Sequence, residues 1–210
     1  MPDTISRAHI PAQPAEGQPA VPARVSQETL DLLANRRSTP ILLMGEPGPS
    51  KEQIEELVRL ASRVPDHGKL NPVRFIAIYG DARTRAGNAV AEMLAKKAPE
   101  TPEQMIEHER KNFLRSAATV LVVYCGKDNP RIPEWEQRLS AGMAGYQLLL
   151  GAHALGFAGV WLSARIALDP DVRPIFGLEE NERIMGMIHL GTATQTPPER
   201  ERKAARLDWY

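Results

Sequence analysis

Apolar side chains recur at helical spacing along some stretches of the chain and form short unbroken runs along others. Leu30, Leu33 and Ala34 share one face over 27–34, and Ser26 is placed to cap that helix. Ile54, Leu57, Val58 and Ala61 do the same over 51–63, where Ser50 and Gln53 have the spacing of a capping box. Helical spacing returns at 83–97 and at 102–114, whose Glu107, Glu109, Arg110 and Lys111 form a solvated face. The longest predicted helix opens at Pro133, a residue suited to a first turn, and runs to about Leu155. Apolar runs of strand length occupy 75–79, 118–125, 160–163 and 183–190. A helical turn near 171–176 precedes the last strand, and Gly191 is read as its close. The resulting order is α+β or mixed α/β, without the regular alternation and glycine fingerprint of a dinucleotide fold.

Residues 1–25 break this pattern. Pro2, Pro11, Pro14, Pro19 and Pro22 stand among Ala, Gln and Gly with no hydrophobic period, which predicts a disordered or loosely docked arm. Residues 26–210 then form a single domain, and a basic tail closes the chain over 197–210. No Asp, Glu, Lys or Arg occurs over 140–163. Gly142, Gly145 and Gly151 thin that run and 156–159 break it, so a buried central helix is expected rather than a membrane span.

Charge changes little: 26 Lys and Arg balance 26 Asp and Glu, which argues for no nucleic-acid partner. Cys125, the single cysteine, lies inside an apolar strand and has no partner for exchange. No signal-peptide pattern opens the chain, so a reducing cytoplasm is the expected setting.

Candidate chemistry starts at 35–38. Asn35, Arg36, Arg37 and Ser38 stand at a helix end, where the macrodipole disfavours an anion but two guanidiniums and a hydroxyl suit a phosphate. The simpler role there is compensation of the dipole. Just beyond, 41–51 imitates a P-loop, yet Ser50 replaces the needed glycine and Glu52 the magnesium-binding hydroxyl. Pro47 and Pro49 also remove two backbone donors, so a nucleotide triphosphatase is set aside. His9, His67, His108, His153 and His189 lack i,i+4 pairing and cysteine companions, which points to structural or solvated roles and not to metal. No nucleophile elbow is present. What remains are polar clusters at 36–38, 63–69, 161–163 and 200–203, a distribution suited to a long ligand with phosphate at one end and a flat ring at the other.

Five segments together carry a resemblance: Asn35-Arg36-Arg37-Ser38, Arg63-Val64-Pro65-Asp66-His67, the stretch 132–142, the stretch 156–161, and Leu190-Gly191-Thr192. In that order and spacing they resemble the nitroreductase family, and within it the short YdjA-type NAD(P)H nitroreductase branch. The resemblance implies a three-layer α+β sandwich with a mixed or antiparallel sheet. It implies a homodimer packed through the long helix, with FMN at the interface. Arg36, Arg37 and Ser38 match the segment that holds the FMN phosphate and ribityl chain. Arg63 and His67 match positions that approach the flavin from the other subunit. Trp161, Leu162 and Ser163 match the strand end near the isoalloxazine, and Arg200 and Arg202 match basic tail residues that reach the phosphate. The stretch 151–156 matches one assigned to NAD(P) in relatives, although its apolar character favours core packing. The implied activity is ping-pong reduction of nitroaromatic, quinone or similar small acceptors by NADH or NADPH. A flavin carrier or sensor is the alternative. Two departures bear on substrate choice: Asn71-Pro72-Val73 replaces Gln-Pro-Trp, and Leu162 replaces an arginine.

Overall fold

The computed structural model of the chain describes residues 8–163 and 165–210. Among these, five strands form one sheet in which every pairing is antiparallel. They are β1 (Met44–Gly45), β2 (Val73–Tyr79), β3 (Ala118–Cys125), β4 (Ala158–Leu162) and β5 (Glu182–Ala193). β5 is the spine: residues 187–190 pair with β3 along one edge and with β4 along the other. All eight residues of β3 are buried, as a strand covered on both faces requires.

The helices are α1 (Gln27–Asn35), α2 (Lys51–Ala61), α3 (Ala82–Lys97), α4 (Glu103–Arg110), α5 (Glu134–Ala154) and α6 (Arg173–Phe176). On one face of the sheet Val120 and Val122 pack with Ile54 and Leu57 of α2 and with Leu148 and Leu149 of α5. On the other, Leu121 and Val123 pack with Val90 of α3, Phe113, Ile166 and Val172. The three-layer α+β arrangement expected from the resemblance is therefore present, with an antiparallel sheet.

Several boundaries differ from expectation for local reasons. The predicted 102–114 helix divides into α4 and a tighter turn, Asn112–Arg115, that carries Phe113 into the core. The apolar run after Pro40 is a 3-10 turn, Ile41–Leu43, followed by the two residues of β1. Ser50 and Gln53 do form the capping box, with Ser50 N–H donating to Gln53 Oε1 at 2.9 Å and Gln53 N–H to Ser50 Oγ at 3.2 Å. Gly191 does not close β5. A Cβ there would lie 2.6 Å from the carbonyl oxygen of Gly45, so glycine lets β1 approach and the strand continues through Thr192 and Ala193.

Two apolar surfaces have no cover among the described residues. α1 buries no residue and exposes Leu30 and Leu33, and α5 exposes Trp135, Leu139, Met143 and Tyr146 at helical spacing. The opposite side of α5 is the buried one, through Ser140, Ala141, Ala144, Gly145, Leu148 and Leu149. Residues 8–26 contain no helix or strand. Ile10 nonetheless packs on the core, and its carbonyl accepts from Arg59 Nη2 at 3.3 Å; residues 1–7 of the expected arm lie outside the described residues. No helix among the described residues is long and apolar enough to cross a membrane.

Candidate functional site

Ser26 Oγ accepts the Thr29 N–H at 3.4 Å to start α1, and the helix ends at Arg36, whose N–H reaches Leu32 O before the backbone extends. Thr39 N–H then donates to Gly159 O at 3.1 Å, pinning the segment to the start of β4 just past the end of α5. Arg36 Nη2 donates to Ser38 Oγ at 3.3 Å, while Arg36 Nε is buried without a hydrogen-bond partner among the described residues. His153, in the last turn of α5, is in the same condition at both ring nitrogens. Burial holds its pKa below the ordinary imidazole value, the Arg36 charge lowers it further, and the nearby Gly159 carbonyl opposes them weakly. Two helix C-termini thus meet at this corner. Their dipoles repel an anion, so any anion is held by side-chain donors.

The tail reaches the same segment. Arg37 Nη1 and Arg202 Nε share Glu199 Oε1 at 3.2 and 3.3 Å, and the Arg200 N–H donates to that oxygen at 2.8 Å. The Arg200 N–H first, then Arg37 and Arg202, hold the Glu199 carboxyl down at about 2, against a small opposing effect of desolvation. The structure therefore brings Arg37 and Arg202 together, while Arg200 supplies a backbone donor. Sequence reasoning missed Glu199, which reads there as one charge of a solvated tail.

At the end of β4 the backbone and the side chain separate in role. The Trp161 indole lies between Gly145 of α5 and Gly186 of β5, and a Cβ at either glycine would collide with the ring. Trp161 is a core wedge, so only the strand-end backbone and the exposed Leu162 and Ser163 face outward.

Arg63 and His67 sit elsewhere. Arg63 is exposed just past α2, and the following loop places Gly68, Lys69 and Asn71 at φ 69°, 54° and 48°. Left-handed backbone at a lysine and an asparagine costs free energy, here held by the Asn71 N–H donating to Asp66 Oδ2 at 2.7 Å. Ser140 Oγ donates to Pro65 O at 2.9 Å, and His67 Nδ1 lies 2.7 Å from Glu136 Oε2. These contacts fix Arg63 and His67 to the first half of α5. Arg36 and His153 are at its other end, roughly 20 Å away at 1.5 Å per residue. One chain does not bring the two groups together. Of the Asn71-Pro72-Val73 departure, Val73 starts β2 and packs on the α2–α5 core.

No cluster of His, Cys, Asp and Glu able to hold a metal occurs among the described residues. The sequence model of the nitroreductase family matches residues 33–192, which is most of the chain. The chain belongs to the nitroreductase family. It is accordingly an oxidoreductase by kinship. "Putative NAD(P)H nitroreductase YdjA" of Escherichia coli K12 is 37% identical over 165 residues, covering 79% of this chain and 88% of that protein. A like-named Haemophilus influenzae protein is 34% identical over 175 residues, covering 80% and 90%. Among solved structures, a nitroreductase-like protein of Bacillus cereus superposes with TM-score 0.72 at 21% identity, covering 88% of this chain and 95% of its own. A Bacteroides fragilis nitroreductase with bound FMN superposes with TM-score 0.66 at 18% identity, covering 88% and 100%. At those identities the two structures speak for the fold.

Proposed function

We propose that this nitroreductase-family chain is an FMN-dependent oxidoreductase that uses NADH or NADPH to reduce small electron-poor acceptors such as nitroaromatics and quinones. The observation that carries the reading is Arg36 Nε, a buried cationic donor with nothing to donate to, beside a hydroxyl and a second arginine. Buried unpaired donors are rare in folded proteins, and a phosphate oxygen is the acceptor this set fits. Relatives named for NAD(P)H and a neighbour with bound FMN agree with that chemistry.

In this reading Arg36, Arg37 and Ser38 hold the phosphate and ribityl chain, with Arg200 and Arg202 supporting from the tail. The backbone at Trp161, Leu162 and Ser163 addresses the ring edge. When bound, FMN supplies a reversible two-electron acceptor, and the protein's part is to bind, orient and exclude water. Donor and acceptor substrates alternate at one site, which gives ping-pong kinetics. Residues 26–210 form one cofactor-binding domain, and residues 1–25 are an appended arm.

Arg63 and His67 join the site from a second copy. The exposed stripe Trp135, Leu139, Met143 and Tyr146 offers α5 a two-fold partner. Antiparallel pairing of two α5 helices lays the His67 end of one beside the His153 end of the other. This homodimer completes the site.

The test begins with the visible spectrum of the purified protein. A yellow protein whose flavin bleaches within minutes of anaerobic NADH or NADPH addition is expected. Flavin that stays oxidised for hours would make the chain a carrier or sensor instead. Leu139→Glu is expected to give a monomer in sedimentation that releases FMN; a monomer that retains it would end the shared-site model.

A further inference from the structure

We propose that His153 is a further member of the cofactor's phosphate subsite, donating a ring N–H to the same anion that the Arg36 Nε–H addresses. The proposal rests on the FMN reading above and adds a residue to it. Over 140–163 there is no Asp, Glu, Lys or Arg, yet an imidazole stands in the last turn of α5. Among the described residues its two nitrogens and Arg36 Nε are three buried polar atoms without a well-formed hydrogen bond, and they belong to side chains close enough to interact electrostatically. The Gly159 carbonyl lies near enough to act on the ring but not in bonding geometry.

These two side chains do not bond to one another. An acceptor placed between them satisfies both, which the Gly159 carbonyl, bonded to Thr39 N–H and to neither side chain, does not. The corner is otherwise hostile to anions, since the negative ends of α1 and α5 converge there, so each side-chain donor counts. That same helix end favours a proton-bearing imidazole, and a phosphate beside the ring favours it further. Burial and Arg36 work against the proton when the anion is away. The ring is therefore matched to a phosphate and poorly matched to the same corner without one.

The experiment compares FMN with riboflavin, which lacks the phosphate, by fluorescence titration of the full-length protein stripped of flavin. Wild type is expected to prefer FMN strongly. His153→Leu is expected to lose about 10-fold or more in FMN affinity with riboflavin affinity unchanged, because one charge-assisted bond to phosphate is gone. His153→Gln, which keeps a donor, is expected to recover part of that loss. Parallel loss of both ligands in His153→Leu would show a role in folding alone and overturn the proposal. So would unchanged FMN affinity in that variant, or equal binding of FMN and riboflavin by wild type. Wild type that binds neither flavin would bring down the FMN reading itself, and the role of His153 with it.

Discussion

At one corner of this fold a partly buried arginine and its neighbours satisfy one another, while at the other the corresponding groups are left open. Arg74 Nε and Nη2 each donate to Glu182 at 2.7 Å, Nη2 also reaches Gly177 O at 2.9 Å, and the Glu179 N–H completes the carboxylate at 3.0 Å. Even the Cys125 thiol donates to Glu182 Oε1 at 3.1 Å, and burial first, then that carboxylate, push its pKa up to about 11. Such a thiol is protonated and inert near neutrality. At the Arg36 corner, Arg36 Nε, His153 Nδ1 and His153 Nε2 have no hydrogen-bond partner among the described residues. A closed network contributes to stability. An open one forgoes stability until a ligand supplies the missing partner.

Breaking the closed corner is expected to have the largest effect. Arg74→Met leaves the Glu182 carboxylate buried and unpaired, with its side chain only 8% exposed. Loss of one partner of a buried pair costs about 3–5 kcal/mol; Arg74 is itself partly solvated, so about 2–3 kcal/mol is expected. Urea denaturation measures it, and flavin affinity should not change. Arg36→Met is the converse experiment. It removes a donor that stabilises little in the free protein, so denaturation should shift by less than about 1 kcal/mol. FMN affinity should fall about 10- to 100-fold, as loss of a charge-assisted hydrogen bond implies. If Arg36→Met unfolds the chain and Arg74→Met does not, the contrast between the corners is wrong.

His189 is an intermediate case and makes the contrast readable by pH. Its Nδ1 lies 3.0 Å from Ser116 Oγ and 3.1 Å from Thr119 Oγ1, while Nε2 has no partner, and burial, then Arg115, hold the ring at about 4 instead of 6.5. Between those values the unfolded chain binds a proton that the folded one refuses. Stability is therefore complete above about pH 6.5 and falls toward pH 4, by up to about 1.4 kcal/mol per pH unit. His153, lowered in the same direction, adds to that limb. The closed corner acts later. Arg74 first, then the Glu179 N–H and Cys125, hold Glu182 at about 2 against desolvation, so its contribution persists above pH 4.5 and fades toward pH 2. Denaturation midpoints across this range should fall in two stages, and His189→Asn should flatten the upper one. A single stage below pH 4.5 would mean that the buried histidines do not matter.

The closed corner was illegible in the sequence because its members, Arg74, Cys125 and Glu182, come from three strands joined only by the sheet register. Local features were legible for the opposite reason. Ser50 and Gln53 are three residues apart, and their capping box needs no tertiary contact. Arg36–Arg37–Ser38 stood out as a cluster in the same way, whereas Glu199, which joins Arg37 to Arg202, stands 162 positions from Arg37. His153 read as structural because its significance depends on α1 ending against α5. The signal available was an imidazole inside a run free of Asp, Glu, Lys and Arg. Trp161 read as a cofactor-side residue because nothing near it in sequence shows that Gly145 and Gly186 leave room for its ring. Gly191 read as a stop, although its missing side chain is what admits β1.

The smallest expected effect sits at the open corner's rim. Glu199 accepts from Arg37, Arg202 and the Arg200 N–H on an exposed tail, so a carboxylate already stands where the arginines would meet an incoming phosphate. Exposed pairs of this kind contribute little to stability, and Glu199→Gln should leave denaturation nearly unchanged. The same substitution removes a negative charge that screens Arg37 and Arg202. FMN should then bind up to about 5-fold tighter, mainly through faster association, and with steeper dependence on salt. Stopped-flow association at two ionic strengths measures both. Weaker binding in Glu199→Gln would show instead that this carboxylate holds Arg37 and Arg202 in place, making the rim part of a closed network like the one around Arg74.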